Sequence, residues 1–189
     1  MGTGETTGRL DLSGDSFVIQ SSLLGPDYVI KTADGTELLW TRRQFFDEST
    51  EYLYLDDADE VCFRYERRAP GSFRLVDVRT ETTLGTLERE DEDVSYRWEI
   101  RPAESDGVTA RIVGEKRRVS LLRSQRGQSM SILGPDGADA GRVSRRLLAV
   151  HFTFDVEITG LDRTTKTLVL LAVTLLYDVM QESSSMFRE

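Results

Sequence analysis

The sequence predicts one soluble domain of mostly antiparallel β-structure that ends in an apolar helix inside the protein. Three observations predict this fold class. Apolar and polar residues alternate with a period of two through most of the chain, as they do in half-buried strands. Turn residues separate these runs at least four times, which is typical of strands joined by tight connections. Residues 167–179 are apolar on nearly every side, which favours a helix surrounded by protein.

The alternating runs give about twelve candidate strands, a density that indicates either a barrel or a sandwich. In one run Val61, Phe63 and Tyr65 share a face, and the step Asp34-Gly35 suits a hairpin turn. Between strands at 73–78 and 86–88 the sequence predicts a turn that passes through Gly85. Two other runs each predict a single buried face, formed by Tyr96, Trp98 and Ile100 in one and by Phe152, Phe154, Val156 and Ile158 in the other.

The last apolar segment is predicted to be a buried helix rather than a membrane span. Its continuous apolar run covers only 168–177 and is stopped by Asp178, whereas a bilayer requires about 20 apolar residues. Asp162 precedes the segment and is predicted to be the N-cap.

Composition indicates a single folded unit. Of the 189 residues, 39% are hydrophobic and 30% are charged, which excludes a disordered chain. No Pro/Ser-rich linker divides the sequence. We therefore predict a flexible tail at 1–14, one domain at 15–182 and a C-terminal tail at 183–189.

The charge restricts the classes of partner. The net charge is −9, and the basic residues comprise 21 Arg but only 3 Lys. An acidic chain repels nucleic acid and anionic lipid overall, so binding to either requires a local basic patch. No nucleic-acid partner is expected, and no transmembrane span.

Cysteine usage and the N-terminal sequence predict a cytoplasmic protein, either free or held peripherally at a membrane. Cys62 is the only cysteine, so an intrachain disulfide is excluded and a reducing compartment is favoured. Residues 1–16 contain neither the basic nor the apolar region of a signal peptide.

The order of four segments resembles the Tubby C-terminal-like superfamily. These segments are Tyr28–Gly35, the strand pair Phe73–Leu87, Tyr96–Ile100, and Phe152–Asp162 followed by the helix at 168–180. The resemblance extends over roughly residues 17–181 and is closest to the plant LURP-one-related proteins, with the phospholipid scramblases more distant. It implies a twelve-stranded antiparallel barrel that encloses the C-terminal helix.

The sequence departs from the scramblases before the helix. Asp155 and Glu157 alternate within a strand, and Asp162 lies at the helix start, whereas calcium prefers six to eight oxygens gathered on a loop. The cysteine cluster and Pro-rich region of scramblases are also missing from the sequence. The LURP-one-related branch is therefore the closer likeness.

Candidate catalytic residues are weak, and the sequence predicts a protein that is not an enzyme and uses no metal or cofactor. His151 is the only histidine, and Cys62 alternates opposite apolar residues without a basic neighbourhood. Residues 127–131 lack the second glycine of a nucleophile elbow. The acidic runs 56–60 and 88–93 are interpreted as solvated surface. A hydrolase or metal-dependent enzyme that uses these acidic loops remains the alternative from a different class.

The densest basic cluster is the candidate ligand site. It contains Lys116, Arg117, Arg118, Arg123 and Arg126. Clustered guanidinium groups pair well with phosphate oxygens, and the resemblance implies phosphoinositide recognition by basic residues on the barrel wall. The competing interpretation is that these arginines pair with neighbouring Asp and Glu.

Function is accordingly predicted at the level of a class. The leading hypothesis is a non-enzymatic binding module for anionic lipid headgroups or phosphorylated ligands. The alternative is a scaffold or protein-interaction domain without a small ligand, and a lipid-moving membrane protein ranks last.

Overall fold

The chain forms twelve strands followed by one helix in the described part of the sequence. The computed structural model describes residues 14–21, 27–45, 50–91, 95–115, 129–146 and 152–185. The elements are β1 (Ser16–Ser21), β2 (Tyr28–Thr32), β3 (Glu37–Phe45), β4 (Thr50–Leu55), β5 (Val61–Ala69), β6 (Ser72–Asp77), β7 (Thr82–Asp91), β8 (Ser95–Pro102), β9 (Ala110–Glu115), β10 (Ser129–Leu133), β11 (Asp139–Arg145), β12 (Thr153–Ile158) and α1 (Arg163–Ser185).

The strands close into a barrel in which every neighbouring pair is antiparallel. Consecutive strands pair with each other, and β1 pairs with β12 to complete the ring. At this closure Phe17 lies opposite Val156. The predicted fold class, a mostly β chain with a twelve-stranded barrel and a C-terminal helix, is confirmed. The predicted division into tails and a 15–182 domain stays a prediction.

The alternation of residue types places apolar side chains inside the barrel and charged ones on its wall. In β5, Phe63 and Tyr65 are buried in the core. Arg64 and Glu66, which alternate with them in the sequence, lie on the outer wall. One predicted core residue is wrong. Phe152 is 42% exposed, because it precedes β12 and therefore lies beyond the enclosed part of the barrel.

The predicted hairpin at Asp34-Gly35 is confirmed. Gly35 has a φ of 93°, a left-handed conformation that glycine adopts without steric cost. Its N–H donates to the carbonyl of Thr32 at 3.0 Å, and the N–H of Thr32 donates to the carbonyl of Thr36 at 2.9 Å. The turn therefore joins β2 to β3 through the four residues 33–36.

The predicted turn at Gly85 is wrong, because Gly85 lies within β7. The chain turns earlier, at 78–81, where Oδ1 of Asp77 accepts hydrogen bonds from the N–H groups of Arg79 and Thr80. A Cβ at Gly85 would lie 2.6 Å from the carbonyl oxygen of Arg101 and 2.9 Å from Cδ1 of Leu168. Glycine is needed here because the backbone of β8 and the side chain of Leu168 in the helix both lie too close for a Cβ.

The helix is buried as predicted and longer than predicted. Every residue from Thr165 to Leu176 is buried, and each enclosed leucine stabilises the fold by about 1.5–3 kcal/mol. The sequence predicted 168–180, whereas the helix runs from Arg163 to Ser185, because polar residues continue it at both ends. No stretch of the described helix is both long and apolar enough to cross a membrane.

The predicted N-cap is confirmed. Oδ1 of Asp162 accepts a hydrogen bond from the N–H of Thr165 at 3.0 Å, which satisfies one of the donors that a helix start leaves unpaired. In the next turn Nζ of Lys166 lies 2.7 Å from Oδ1 of Asp15. This ion pair fastens the helix start to the residue before β1.

Candidate functional site

The connections between strands form two sets, one at each end of the barrel, because neighbouring strands run in opposite directions. The connections after the even-numbered strands, 33–36, 56–60, 78–81, 103–109, 134–138 and 159–162, lie at the end where α1 begins. They contain ten acidic residues and a single basic one, Arg79. We call this the acidic end. Its charge complements the positive end of the helix dipole.

The acidic run 56–60 belongs to this end and is held by a local turn. Asp56 is buried, and its Oδ1 accepts hydrogen bonds from the N–H groups of Ala58 and Glu60 at 3.0 and 3.1 Å. Asp57 and Asp59 are exposed, in agreement with the predicted solvated surface. Among the described residues, no three His, Cys, Asp or Glu side chains are grouped so that they could hold a metal ion.

Cys62 and His151 are the two side chains that the sequence offers as weak catalytic candidates. Cys62 is half-buried, with its sulfur 3.6 Å from Oδ2 of Asp56 and from the carbonyl oxygen of Glu60. This half-buried position agrees with the expected structural thiol. His151 lies outside the described residues, as do positions 127 and 128 of the rejected nucleophile elbow.

Five arginines of the outer wall from β5 to β9 are paired with glutamates: Arg64, Arg74, Arg97, Arg101 and Arg111. Glu66 lies 2.9 Å from Nε of Arg64 and also accepts hydrogen bonds from Arg74. Burial alone would raise the pKa of Glu66, but the hydrogen bonds and charges of Arg74 and Arg64 outweigh it and hold that pKa below its usual value. These arginines are therefore engaged with the wall itself.

The same pattern continues around the wall. Glu99 pairs with Arg101 and, at 3.3 Å, with Arg111, while Arg97 lies 3.4 Å from Glu90. Directly after β11, Nε of Arg146 lies 3.0 and 2.9 Å from the two carboxylate oxygens of Asp155 on β12. That hydrogen-bonded carboxylate raises the pKa of Arg146. These wall arginines are thus paired with neighbouring carboxylates, whereas the competing interpretation of the cluster at 116–126 stays a prediction.

The predicted ligand cluster, Lys116, Arg117, Arg118, Arg123 and Arg126, lies outside the described residues. Its neighbours in the sequence are described. β9 ends at Glu115 and β10 begins at Ser129, both at the end opposite the acidic end.

Among the described residues, a few exposed arginines have no ion-pair or hydrogen-bond partner. Arg42, Arg67, Arg68 and Arg142 make no ion pair or hydrogen bond within the described part of the chain. Arg42 lies towards the end of β3, and Arg67 and Arg68 lie close to the end of β5. These three arginines are thus displaced towards the end opposite the acidic end, whereas Arg142 lies on the outer wall of β11.

Three arginines at this opposite end continue the inward-facing positions of their strands. They are Arg43 on β3, Arg67 on β5 and Arg89 on β7, and in register they lie opposite Tyr52 on β4, Phe73 on β6 and Trp98 on β8. We call these six residues the arginine–aromatic arc. They occupy six consecutive strands of the barrel.

Contacts within the arc join its cations to its rings. Cζ of Arg43 lies 5.5 Å from the ring centroid of Tyr52, and Cζ of Arg89 lies 6.0 Å from the ring of Trp98. Phe73 lies between the other two rings, with centroid distances of 6.5 Å to Tyr52 and 6.1 Å to Trp98. The sequence analysis missed the arc, although each arginine stands two residues after a buried inward position.

The fold is similar to that of a solved structure, described as the X-ray structure of a protein from Arabidopsis thaliana, AT5G01750. The two share 13% sequence identity, the match covers 87% of this chain and 91% of that chain, and the TM-score is 0.55. No protein-family model matches the sequence, and no curated protein matches it. The comparisons therefore show a relationship to the Arabidopsis protein at the level of the fold.

Proposed function

We propose that the chain is a non-enzymatic binding module of the LURP-one-related type within the Tubby C-terminal-like superfamily, and that it binds ligands carrying phosphate groups. The ligand is either an anionic lipid headgroup or a soluble phosphorylated molecule. The observation that carries the proposal is the sorting of charge. Wall arginines are paired with glutamates, whereas Arg42, Arg67 and Arg68 are exposed towards the end opposite the acidic end.

Because the helix fills the interior of the barrel, a ligand is expected to bind outside it. Residues Thr165 to Leu176 of the helix occupy the core. A phosphate-bearing ligand is therefore expected at the end opposite the acidic end, where the exposed guanidinium groups of Arg42, Arg67 and Arg68 can pair bidentately with phosphate oxygens. The acidic end would be repelled by the same anionic surface, so the charge separation orients the protein on it.

The superfamily assignment is supported by the fold and by the order of sequence segments. A closed twelve-stranded barrel around a C-terminal helix is the architecture that the resemblance implies. The likeness to the Arabidopsis structure adds support at the level of the fold.

Vesicle co-sedimentation tests the proposal. Wild-type protein is mixed with vesicles of phosphatidylcholine alone or with added acidic phospholipid, at low and at high salt. We expect binding only to the acidic vesicles, and weaker binding at high salt, because phosphate contacts by arginine are screened by ions. Titration with a soluble inositol polyphosphate in the absence of vesicles separates the two ligand sources: binding to acidic vesicles alone indicates a lipid headgroup, and binding to the soluble probe alone indicates a soluble ligand.

Two variants locate the interaction. The triple variant Lys116→Ala, Arg117→Ala, Arg118→Ala tests the predicted cluster, and Arg142→Ala removes an exposed arginine of the outer wall as a control. Loss of binding in the triple variant alone would support a site that includes 116–118. If the wild-type protein binds neither vesicles nor inositol polyphosphate, the proposal is wrong and the scaffold alternative takes its place.

A further inference from the structure

We infer that the arginine–aromatic arc is a binding site for ligands that carry two or more phosphate groups. This inference rests on the proposed function and gives it a location among the described residues. It is independent of the cluster at 116–126.

The spacing of the arc suits a ligand with several phosphates. Its three arginines lie on alternate strands, β3, β5 and β7, and alternate strands are about 10 Å apart because neighbouring strands are separated by about 4.8 Å. Arginine side chains are long enough to reach a common ligand across such a distance, which separates Arg67 from Arg43 on one side and from Arg89 on the other. A single phosphate would engage one arginine, whereas a ligand with several phosphates can join Arg67 to a neighbouring arginine of the arc.

The aromatic contacts give the cations a defined orientation. Arg43 and Arg89 lie over the rings of Tyr52 and Trp98, an arrangement in which a planar guanidinium is held by attraction to the ring face. A cation positioned in this way loses less side-chain entropy when a ligand binds. The arc is therefore better suited to recognition than a set of freely moving surface arginines.

Arg67, between these two, is the most accessible member. It is exposed and makes no ion pair or hydrogen bond with any described residue. Its register partner Phe73 is buried and in contact with the rings on either side. Arg67 thus provides an available guanidinium at the centre of the arc.

A buried donor in the arc gives independent support for a ligand. Trp98 is only 2% exposed, and its indole Nε1 has no hydrogen-bond acceptor. Buried polar groups in native proteins are nearly always hydrogen-bonded, and a donor without an acceptor points to a missing partner. A phosphate or hydroxyl oxygen of a ligand would supply this acceptor.

Isothermal titration calorimetry of the full chain with inositol hexakisphosphate and with inorganic phosphate tests the inference. We expect the hexakisphosphate to bind at least about tenfold more tightly, because several charge-assisted hydrogen bonds form together. Arg67→Gln should weaken hexakisphosphate binding by about tenfold or more. The matched control Arg142→Gln, which removes an exposed wall arginine, should change it by less than about threefold.

A second variant tests the indole donor. Trp98→Phe retains an aromatic ring and removes only the N–H, and it should weaken hexakisphosphate binding by about threefold to tenfold. Circular dichroism and urea unfolding confirm that each variant is folded before titration. Tight binding by the wild type with equal losses in Arg67→Gln and Arg142→Gln, or with no loss in Trp98→Phe, would overturn the arc as the site while leaving the proposed function intact. If the wild type binds neither probe nor acidic vesicles, both the proposed function and the arc site are wrong.

Discussion

The hydroxyl of Tyr54 on the barrel wall donates a hydrogen bond to the backbone carbonyl of Leu171 in the central helix, at 2.8 Å. The hydroxyl of Thr174 lies 2.9 Å from the same tyrosine oxygen and donates to the same carbonyl at 2.8 Å. All three groups are buried. An apolar helix in an apolar barrel has little to fix its rotation, and this network supplies a directional contact.

Replacing Tyr54 with Phe should therefore destabilise the protein by about 0.5–1.5 kcal/mol, the usual net value of a hydrogen bond whose acceptor keeps another partner. Tyr65→Phe is the matched control. Its hydroxyl reaches the carbonyl of Leu168 at the longer distance of 3.3 Å, and burial raises the pKa of its phenol, so it remains neutral. Urea unfolding measures both variants. A larger loss in Tyr65→Phe than in Tyr54→Phe would contradict the role assigned to Tyr54.

The close approach of the helix to the wall predicts a severe effect of Gly85→Ala. The new Cβ would overlap the carbonyl oxygen of Arg101 and Cδ1 of Leu168, and overpacking of this kind costs about 1–3 kcal/mol. Gly107→Ala is the control, since the nearest heavy atom to its Cβ would be Oγ of Ser105 at 4.0 Å. Thermal unfolding should show a lowered midpoint for Gly85→Ala alone. Equal midpoints for the two variants would rule out this tight contact.

Removing the helix cap should have a moderate effect. Asp162→Ala leaves the N–H of Thr165 without its acceptor and should cost about 0.5–2 kcal/mol. Asp162→Asn keeps a capping oxygen and should recover most of that loss. Urea unfolding of the two variants distinguishes the contribution of the capping hydrogen bond from that of the negative charge of Asp162. If Asn is as damaging as Ala, the effect comes from the negative charge instead.

The ion pairs of Glu66 predict that the free energy of unfolding decreases as the pH falls into the acidic range. Since the pKa of Glu66 in the folded protein lies below its ordinary value of 4.5, the unfolded chain takes up the proton first as the pH falls. The stabilisation is complete above the ordinary value and is lost as the pH falls through the folded value. Glu66→Gln should therefore lose less stability than the wild type between neutral and acidic pH.

The control for this pH dependence is Glu104→Gln. Glu104 is exposed in the connection 103–109, and no ion pair joins it to another described residue. Its variant should follow the wild-type pH profile, as measured by urea unfolding at a series of pH values. A Glu66→Gln profile that coincides with the wild type would show that Arg64 and Arg74 do not favour the charged carboxylate.

The sequence predicted features that depend on local chemistry and missed those that depend on register. The alternation in 61–66 and the Asp34-Gly35 turn arise from residues adjacent in the chain, so both were predicted correctly. Gly85 resembles a turn residue by type, yet its role comes from Leu168, which is distant in the sequence. Phe152 continues the alternation of β12, but the barrel ends before it.

The arc illustrates the same limit for the candidate site. In the sequence Arg43 is next to Arg42 and Arg67 is next to Arg68, so the local pattern groups each arginine with its neighbour in the chain. Strand geometry places the members of the pair Arg42-Arg43 on opposite sides of the sheet. Only the pairing of β3 with β4 and of β7 with β8 reveals that Arg43 and Arg89 lie opposite aromatic rings.

Phosphate binding at the arginine–aromatic arc is tested most directly by the two tryptophan indole resonances in a ¹⁵N-correlated NMR spectrum. Trp98 belongs to the arc, whereas Trp40 lies on β3 and is 39% exposed; Trp40→Phe assigns the two signals. On titration with inositol hexakisphosphate, the resonance of Trp98 should move downfield as its N–H gains an acceptor, while that of Trp40 stays in place. Binding detected by calorimetry with a stationary Trp98 resonance would contradict the site.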